Sequence, residues 1–248
     1  MTLGRYRADL HIHSCLSPCG ELTMSPRAIV GRAREVGLDI IAVCDHNAAE
    51  NAEAAMRAAG GTGLTVLPGM EIVSAEEVHV LALFDAMDDV RPVLEAVHRG
   101  LPDGGPKKAY AEDQVLVNEA DEVTGFHPFF LMGATELTVH EIVDLIHAHG
   151  GLAVAAHYDR GSFSVISQLG FIPPDLAFDA LEVFSPAGAA ETGLPSIPPP
   201  GYPLVRFSDA HRPEEIGSRQ TGFLLASPTL GEVRKALAGL GGRRILAP

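Results

Sequence analysis

The 248-residue sequence has no apolar run approaching the roughly 18 residues that a membrane-spanning helix needs, and its first stretch, MTLGRYRADLHIHS, lacks an apolar h-region. Neither a membrane span nor a secretory leader is expected, and the expected compartment is the cytoplasm. Cysteine is scarce. There are three, an odd number, and a chain of this length buries a core without disulfide staples. Pairing of Cys15 with Cys19 is disfavoured in a reducing cytosol. Basic residues are also few: 18 Lys and Arg stand against 32 Asp and Glu, a formal charge of −14. Such a surface repels a polynucleotide backbone and argues against broad duplex binding. It leaves a small anionic substrate open if metal ions supply local positive charge. The sequence has no Gly-x-x-x-x-Gly-Lys-Ser/Thr loop, no Gly-x-Ser-x-Gly elbow and no Cys-x-x-Cys pair. Gly188-Ala-Ala is not by itself a phosphate cradle. No internal repeat or low-complexity tract occurs.

Short apolar runs alternate with amphipathic stretches. Strands are expected at Arg7–His11, Asp39–Cys44, Leu64–Leu67, Val78–Phe84, Leu152–Ala156, Ala180–Val183 and Leu204–Phe207. A further strand, Gln220–Leu225, is expected at the barrel's end. Ser25-Pro26 opens a helix that Gly37 ends. Ala48–Ala59 is an alanine-rich helix stopped by Gly60-Gly61. Thr138-Val-His-Glu141 is a capping box for a helix ending at Gly150-Gly151, and Ser227-Pro228 starts the last helix, which runs to about Leu240. Alternating strands and helices predict a parallel sheet with helices outside, and seven or eight such units predict a closed or nearly closed α/β barrel in one domain, 1–248. Residues 101–133 break the rhythm: Gln114–Val117, Asn118–Asp121 and Glu122–Phe126 read as strand, turn, strand, a hairpin excursion over the barrel mouth. Pro195–Pro203 reads as a stiff surface loop.

The histidines fall where chemistry would need them. His11 and His13 end the first strand, and residues two apart on a strand share a face, so two imidazoles converge as a metal ion requires. Asp45-His46 follows the second strand, and Glu71 the third. His79 lies at Val78–Phe84, His157 follows the next strand, and Asp209 and His211 follow a late one. In a parallel barrel these ends share one face, where active sites form. A lone histidine is more often structural. His98, His140, His147 and His149 fall on expected helices and are read that way, and His127, in the excursion, leans the same way.

Asp9-Leu-His-Ile-His-Ser14, Cys44-Asp-His-Asn47, Gly69-Met-Glu71, Ala156-His-Tyr-Asp-Arg160 and Ser208-Asp-Ala-His211 resemble, in order, the successive motifs of the polymerase and histidinol phosphatase (PHP) family. The resemblance runs from Asp9 to His211. It implies a distorted (β/α)7 barrel and a phosphoesterase that uses two or three divalent ions (zinc, manganese or iron) to activate water for in-line attack. Carried over residue by residue, His11, His13, Glu71 and Asp209 would hold a first metal, and a bridging Glu71 with His79 and His157 a second. His46 and His211 would belong to a third. Many relatives complete that third site with a histidine, where this chain has Cys19. A thiolate is a sound zinc ligand, and an inert thiol packed in the turn is the competing reading. Tyr158 stands where the family commonly has proline, and would shape the pocket. Asp9 and Asp45 read as groups that orient imidazoles. Arg160 is the candidate for holding a substrate phosphate, ahead of Arg212 and the Lys107-Lys108 pair. Asp209, His211 and Arg160 form the expected catalytic set, His211 as an acid for the leaving group. The expected partner is a small phosphorylated substrate (a sugar, amino-alcohol or nucleotide phosphate), with short oligonucleotide ends also open and no membrane. Two rival readings are an amidohydrolase-type enzyme, although no lysine lies at a mid-barrel strand end, and a metal-binding regulatory module without turnover.

Overall fold

A computed structural model describes residues 2–102, 114–184 and 201–246. Lys107, Lys108, Gly188 and most of the proline-rich loop lie outside the described residues. The elements are β1 (Gly4–Ile12), α1 (Pro26–Glu35), β2 (Ile40–Val43), α2 (Glu50–Ala58), β3 (Thr65–Val73), β4 (His79–Leu83), α3 (Met87–Gly100), β5 (Val115–Val117), β6 (Val123–Phe126), α4 (Val139–Ala148), β7 (Leu152–Ala155), α5 (Val165–Leu169), β8 (Ala180–Glu182), β9 (Leu204–Val205), β10 (Thr221–Leu225), α6 (Leu230–Leu237) and β11 (Arg244–Leu246). No described helix is long and apolar enough to cross a membrane.

The sheet runs β1-β2-β3-β4-β7-β8-β9. The segment after β9 returns to β1 through a parallel bridge between Ile12 and Ala210, where the His13 N–H donates to the Ala210 carbonyl at 2.9 Å. These seven strands make a nearly closed barrel. One strand breaks the parallel rule: β4 pairs antiparallel with both β3 and β7. Only five residues separate β3 from β4, too few for a crossover, so the connection is a hairpin. β10 is not a barrel strand. It pairs antiparallel with the outer half of β1 and carries β11 on its far side.

Alternation along the strands sorts the core into an inside and an outside. Ala8, Leu10, Ile40, Ala42, Leu67, Leu81, Leu83, Leu152, Val154, Ala180, Val205 and Phe207 pack together as a plug within the barrel. The opposite faces meet the helices: Ile12, Ile41 and Val43 pack with α1 and α2 residues, and Met70, Ile72, Val80 and Ala82 with α3 and α4 residues. On β1 the inward parity changes. Leu10 belongs to the plug, yet Ile12 packs outward, and the β1–β2 register shifts between Asp9 and Ile12. This bulge-like irregularity re-aims the chain so that His11 and His13, not Ile12, face inward above the plug.

The expected start signals hold for α1 and α4. Ser25 Oγ accepts from the Ala28 N–H, and Thr138 and Glu141 form a reciprocal capping box. The last helix starts two residues later than Ser227-Pro228 implied, because Thr229 is the residue whose side chain accepts from the Glu232 N–H, and it ends at Leu237. β3 runs on through Val73, so Glu71 lies inside a strand rather than after one. The excursion is a hairpin of β5 and β6. It is tied down by Asn51, whose side chain donates to the Val115 carbonyl and accepts from the Val117 N–H, and by Asp121, which accepts from Ser25 and from the Arg27 N–H.

Gly69 sits on the inward face of β3 between Leu67 and Glu71. A Cβ there would lie 2.8 Å from Cys44 Sγ and 2.9 Å from the Ala82 carbonyl oxygen. The carbonyl belongs to a paired strand and cannot give way. Gly69→Ala is expected to destabilise the protein by about 1–3 kcal/mol, read as a lower denaturant midpoint at unchanged m. A stability equal to wild type would show that β3 and β4 are not so closely apposed.

Candidate metal centre

The ligand candidates continue the inward face of each strand one step beyond the plug. Ala42 and Cys44 lead to His46, Leu67 and Gly69 to Glu71, Ala180 to Glu182, and Val205 and Phe207 to Asp209. On β4 the order is reversed: Leu83 and Leu81 lead to His79 at the strand's start. Because β4 is antiparallel, its first residue arrives at the mouth where the other strands end. His157 and Asp209 turn into place through left-handed backbone, at φ 30° and 54°.

Glu71 is the hub. Its carboxylate is 1 % exposed and meets five imidazoles. Oε1 lies 2.8 Å from His79 Nδ1, 3.1 Å from His157 Nε2 and 3.5 Å from His11 Nε2. Oε2 lies 3.1 Å from His46 Nδ1 and 3.3 Å from His13 Nε2. Asp209 Oδ1 stands 3.4 Å from His11 Nε2 and 3.3 Å from His13 Nε2. Beyond it, His211 Nε2 is 3.1 Å from Cys19 Sγ, and the His211 Nδ1–H donates to the Asp209 carbonyl at 2.8 Å. The ligand atoms of His11, His13 and Glu71 converge in one group, those of His46, Glu71 and His79 in a second, and those of His13, Cys19, His46 and His211 in a third. His46 thus reaches towards two groups, whereas the family resemblance assigned it to the third alone. Cys15, Cys19 and Cys44 are all unpaired.

The donor set fits divalent cations. His11 Nδ1–H donates to both Glu182 oxygens at 3.1 Å, and His13 Nδ1–H donates to Ser17 Oγ at 2.9 Å. That leaves two Nε2 lone pairs facing each other at 3.2 Å, an arrangement only a proton or a cation between them relieves. His46 Nδ1, though close to Glu71, is buried and not aligned for any hydrogen bond, and His157 Nδ1 is likewise buried without a partner. Without a cation, the carboxylates around the cluster would favour a proton in that gap. Burial alone would lower the His13 pKa, but its hydrogen bonds to Asp209 and Glu71 raise it to about 9. Burial would raise Glu71 and Asp209, and the surrounding histidines instead hold both well below the usual carboxylate range. Burial, then the neighbouring His13 charge, brings His211 down to about 4. Desolvation, then the Glu71 and Asp209 charges, push the Cys19 thiol up. A thiolate there calls for a cation.

Glu182 is the functional residue that motif reading missed. It ends β8, is 1 % exposed, and accepts from both His11 Nδ1–H and the His157 backbone N–H, the latter at 2.8 Å. A lone carboxylate on an otherwise apolar strand was the available signal. Asp45 acts on an imidazole only at one remove: it accepts from Ser14 and from Ser17 at 2.6 Å, and Ser17 in turn meets His13. Asp9 touches no imidazole side chain. It accepts from the Ser208 and Gly217 N–H groups and so supports the chain around Asp209. Tyr158 is 2 % exposed and packs in the core beneath α4 and α5 rather than lining the pocket.

Beside Asp209 opens a cleft of about 400 Å³ lined by Cys19, Arg160, Phe184, His211, Arg212 and Arg219, among others. Arg160 Nη1–H donates to Asp209 Oδ2 at 2.9 Å while its side chain stays 42 % exposed. Arg219 clamps the Phe184 and Ser208 carbonyls and stacks on the Phe184 ring at 3.8 Å. Arg212 pairs with Glu21. Away from the cluster, His98, His127 and Glu50 meet beside the excursion. Both ring nitrogens of His127 are taken, one by Glu50 and one by the Phe129 N–H, and His98 Nε2–H donates to the Asn47 carbonyl. This group is a hydrogen-bonded strut between the excursion and the barrel.

A PHP domain profile matches residues 9–155. The chain is 28% identical over 188 residues to a 5′-3′ exoribonuclease of Haemophilus influenzae, covering 60% of this chain and 68% of that one. In structure it is similar to the lesion-specific endonuclease PfuEndoQ from Pyrococcus furiosus, with a TM-score of 0.74 at 20% identity, over 98% of this chain. A complex of Endonuclease Q with a 27-mer duplex carrying an abasic lesion at its active site gives a TM-score of 0.72 at 21% identity, over 97% of this chain. The chain spans 58% of the length of each of these two proteins, and the likeness to them is one of fold.

Replacing Glu182 with Gln keeps the shape and removes the charge that fixes the His11 ring. Metal affinity is expected to fall about 10–100-fold, measured by competitive chelator titration, with the far-ultraviolet dichroism unchanged. Wild-type affinity in Glu182→Gln would remove Glu182 from the site.

Proposed function

The chain belongs to the PHP family of metal-dependent hydrolases, and on that premise we propose that it hydrolyses phosphate esters at the strand-end cluster, as one PHP domain. The observation that carries this reading is Glu71: a buried carboxylate with five imidazoles about its two oxygens, able to bridge cations. His11, His13 and Asp209 would hold one ion, and Glu71, His79 and His157 a second. His46, His211 and Cys19 would serve a third. Such ions, whether zinc, manganese or iron, supply the charge that acidifies a water and offsets negative charge on a phosphoryl oxygen.

The chain's own groups supply the rest. Arg160 stands at the rim with its planar fork partly open to solvent, suited to a phosphate's oxygens. Were Asp209 to turn to a cation, the Arg160 guanidinium that now pairs with it would be free to meet substrate. His211 holds its one proton on Nδ1 against the Asp209 carbonyl, which leaves the Nε2 lone pair facing Cys19; it would ligate there, and would serve the leaving oxygen as an acid only after taking up a second proton at Nε2. Apolar side chains floor the site and keep bulk water from its base.

For the substrate, the cleft suits one small group, and the relatives act on nucleic acid. A nucleotide phosphate or a short oligonucleotide end therefore ranks above a sugar or amino-alcohol phosphate. The amidohydrolase reading finds no supporting lysine, because the one described lysine, Lys235, lies on α6. The decisive experiment is metal analysis joined to a phosphate-release screen over monoesters and diesters. Turnover of none of them by the metal-loaded protein would refute the reading.

Two substitutions separate the roles. Asp209→Asn should lower turnover by more than the roughly 10–100-fold that losing an outer partner costs, and full activity with metal retained would refute its assignment. Cys19→Ser tests the third position. If the sulfur ligates, metal stoichiometry and turnover both drop. Unchanged metal content and kinetics would make it an inert thiol and leave any third ion to His46 and His211.

A further inference from the structure

The turn between β7 and α5 brings three different groups to the mouth: His157, Arg160 and Phe163. The last leaves much of its ring in solvent. Phe163 is 43 % exposed and adopts φ 58°, a left-handed conformation that a bulky side chain rarely takes. It therefore combines an exposed apolar ring with an unfavourable backbone. Neither favours folding, and outliers of this kind gather at functional sites.

The rest of the turn holds Phe163 in this state. The His79 N–H donates to the Phe163 carbonyl at 2.9 Å. The following residue, Ser164, donates its hydroxyl to the Arg160 carbonyl at 2.7 Å and caps α5. The ring lies over the His79 imidazole, centroids 4.8 Å apart and planes 22° from parallel. One face is thus covered by a side chain of the metal cluster, and the exposed surface belongs to the other face and the edge. An exposed arene stacked on a side chain of the cluster can serve as a stacking platform. Phe184, the aromatic residue on the other side of Arg160, does not offer the same, since Arg219 stacks on its ring at 3.8 Å.

We infer that Phe163 is the floor of a base-binding subsite, taking the planar base of a nucleoside phosphate whose phosphate lies at the cluster. This deepens the phosphoester reading and rests on it. The division of labour follows the chemistry of such a ligand. The cluster and Arg160 meet the phosphate, and the arene meets the base, which offers a π-face whatever its identity. Recognition by stacking tolerates any base and prefers nucleotides to sugar phosphates. It also needs no basic surface, in keeping with a chain of formal charge −14.

The test uses binding, so that it does not depend on turnover. The metal-loaded protein is titrated calorimetrically with non-hydrolysable 5′-phosphonates of adenosine and of ribose. Wild type is expected to bind the adenosine compound about tenfold or more tightly, the order that stacking on one aromatic residue provides. In Phe163→Leu, which keeps apolar bulk over His79 but has no π-face, the preference should collapse while affinity for the ribose compound and metal content hold. Phe163→Trp should keep or widen it. Equal binding of both compounds by wild type overturns the inference while leaving the phosphoester reading intact. So does a preference that survives in Phe163→Leu, or one that Trp abolishes with metal content unchanged. Binding of neither compound overturns both.

Discussion

A carboxylate taken out of water costs several kcal/mol unless positive charge comes with it, and Glu71 is such a carboxylate, on the floor of the barrel mouth with no ion pair to a lysine or arginine among the described residues. Five imidazoles surround it. Their charge must come either from protons or from cations. Without a cation it would come from protons, since the surrounding carboxylates raise the His11 and His13 pKa values against the effect of burial. Those protons would sit at the Nε2 positions that a metal would use. The neighbouring groups look arranged for the second state. Glu182 and Ser17 take the Nδ1 protons, which commits each ring to the tautomer whose Nε2 lone pair faces the centre. The cluster is therefore prepared for metal by hydrogen bonds one layer out.

The geometry that satisfies Glu71 is a matter of strand parity. Every ligand-bearing strand carries apolar residues on its inward face, and the ligand is the next inward position beyond them. Where simple alternation would place a ligand wrongly, the backbone changes: a register shift on β1 before His11, and a left-handed residue at His157. At Gly69 strands approach without a side chain between them. Core and site are thus one continuous construction, and the apolar plug fixes the height at which the imidazoles stand.

This explains which features were legible in the sequence. His11-Ile-His13 and Ala42-Val-Cys-Asp-His46 display the two-residue period directly, and the caps at Ser25 and Thr138 follow from side-chain chemistry local to a few residues. The hairpin excursion was legible for the same reason, through Asn118–Asp121 between two apolar runs. Strand direction was not. Nothing local in Val78–Phe84 says that it runs antiparallel, and His79 was placed at a strand without the reversal that brings it to the mouth. Nor was Glu182 legible as a partner of His11, since 171 residues separate them. Asp9 and Asp45 read as groups that orient imidazoles, yet Asp9 reaches backbone amides and Asp45 reaches His13 only through Ser17, a distinction that depends on loops packing from elsewhere in the chain. Pairings across long sequence separation are set by the tertiary fold, and the motifs carry only one side of each.

The charge distribution narrows what such a site can serve. A formal charge of −14 opposes a long polynucleotide, whose binding draws on many phosphate contacts. Around the cleft, however, Arg160, Arg212 and Arg219 stand together. Only Arg160 among them combines exposure with a partner, Asp209, that cations at the cluster would compete for. Arg219 spends its donors on two carbonyls and keeps the lip rigid, while Arg212 is held by Glu21. Affinity therefore has to come from the cluster and its immediate rim rather than from an extended basic track. A site of that kind grips one phosphate strongly and the following ones weakly. Under the proposed function, such a site would favour the terminus of a chain, or a single nucleotide, over the interior of a duplex.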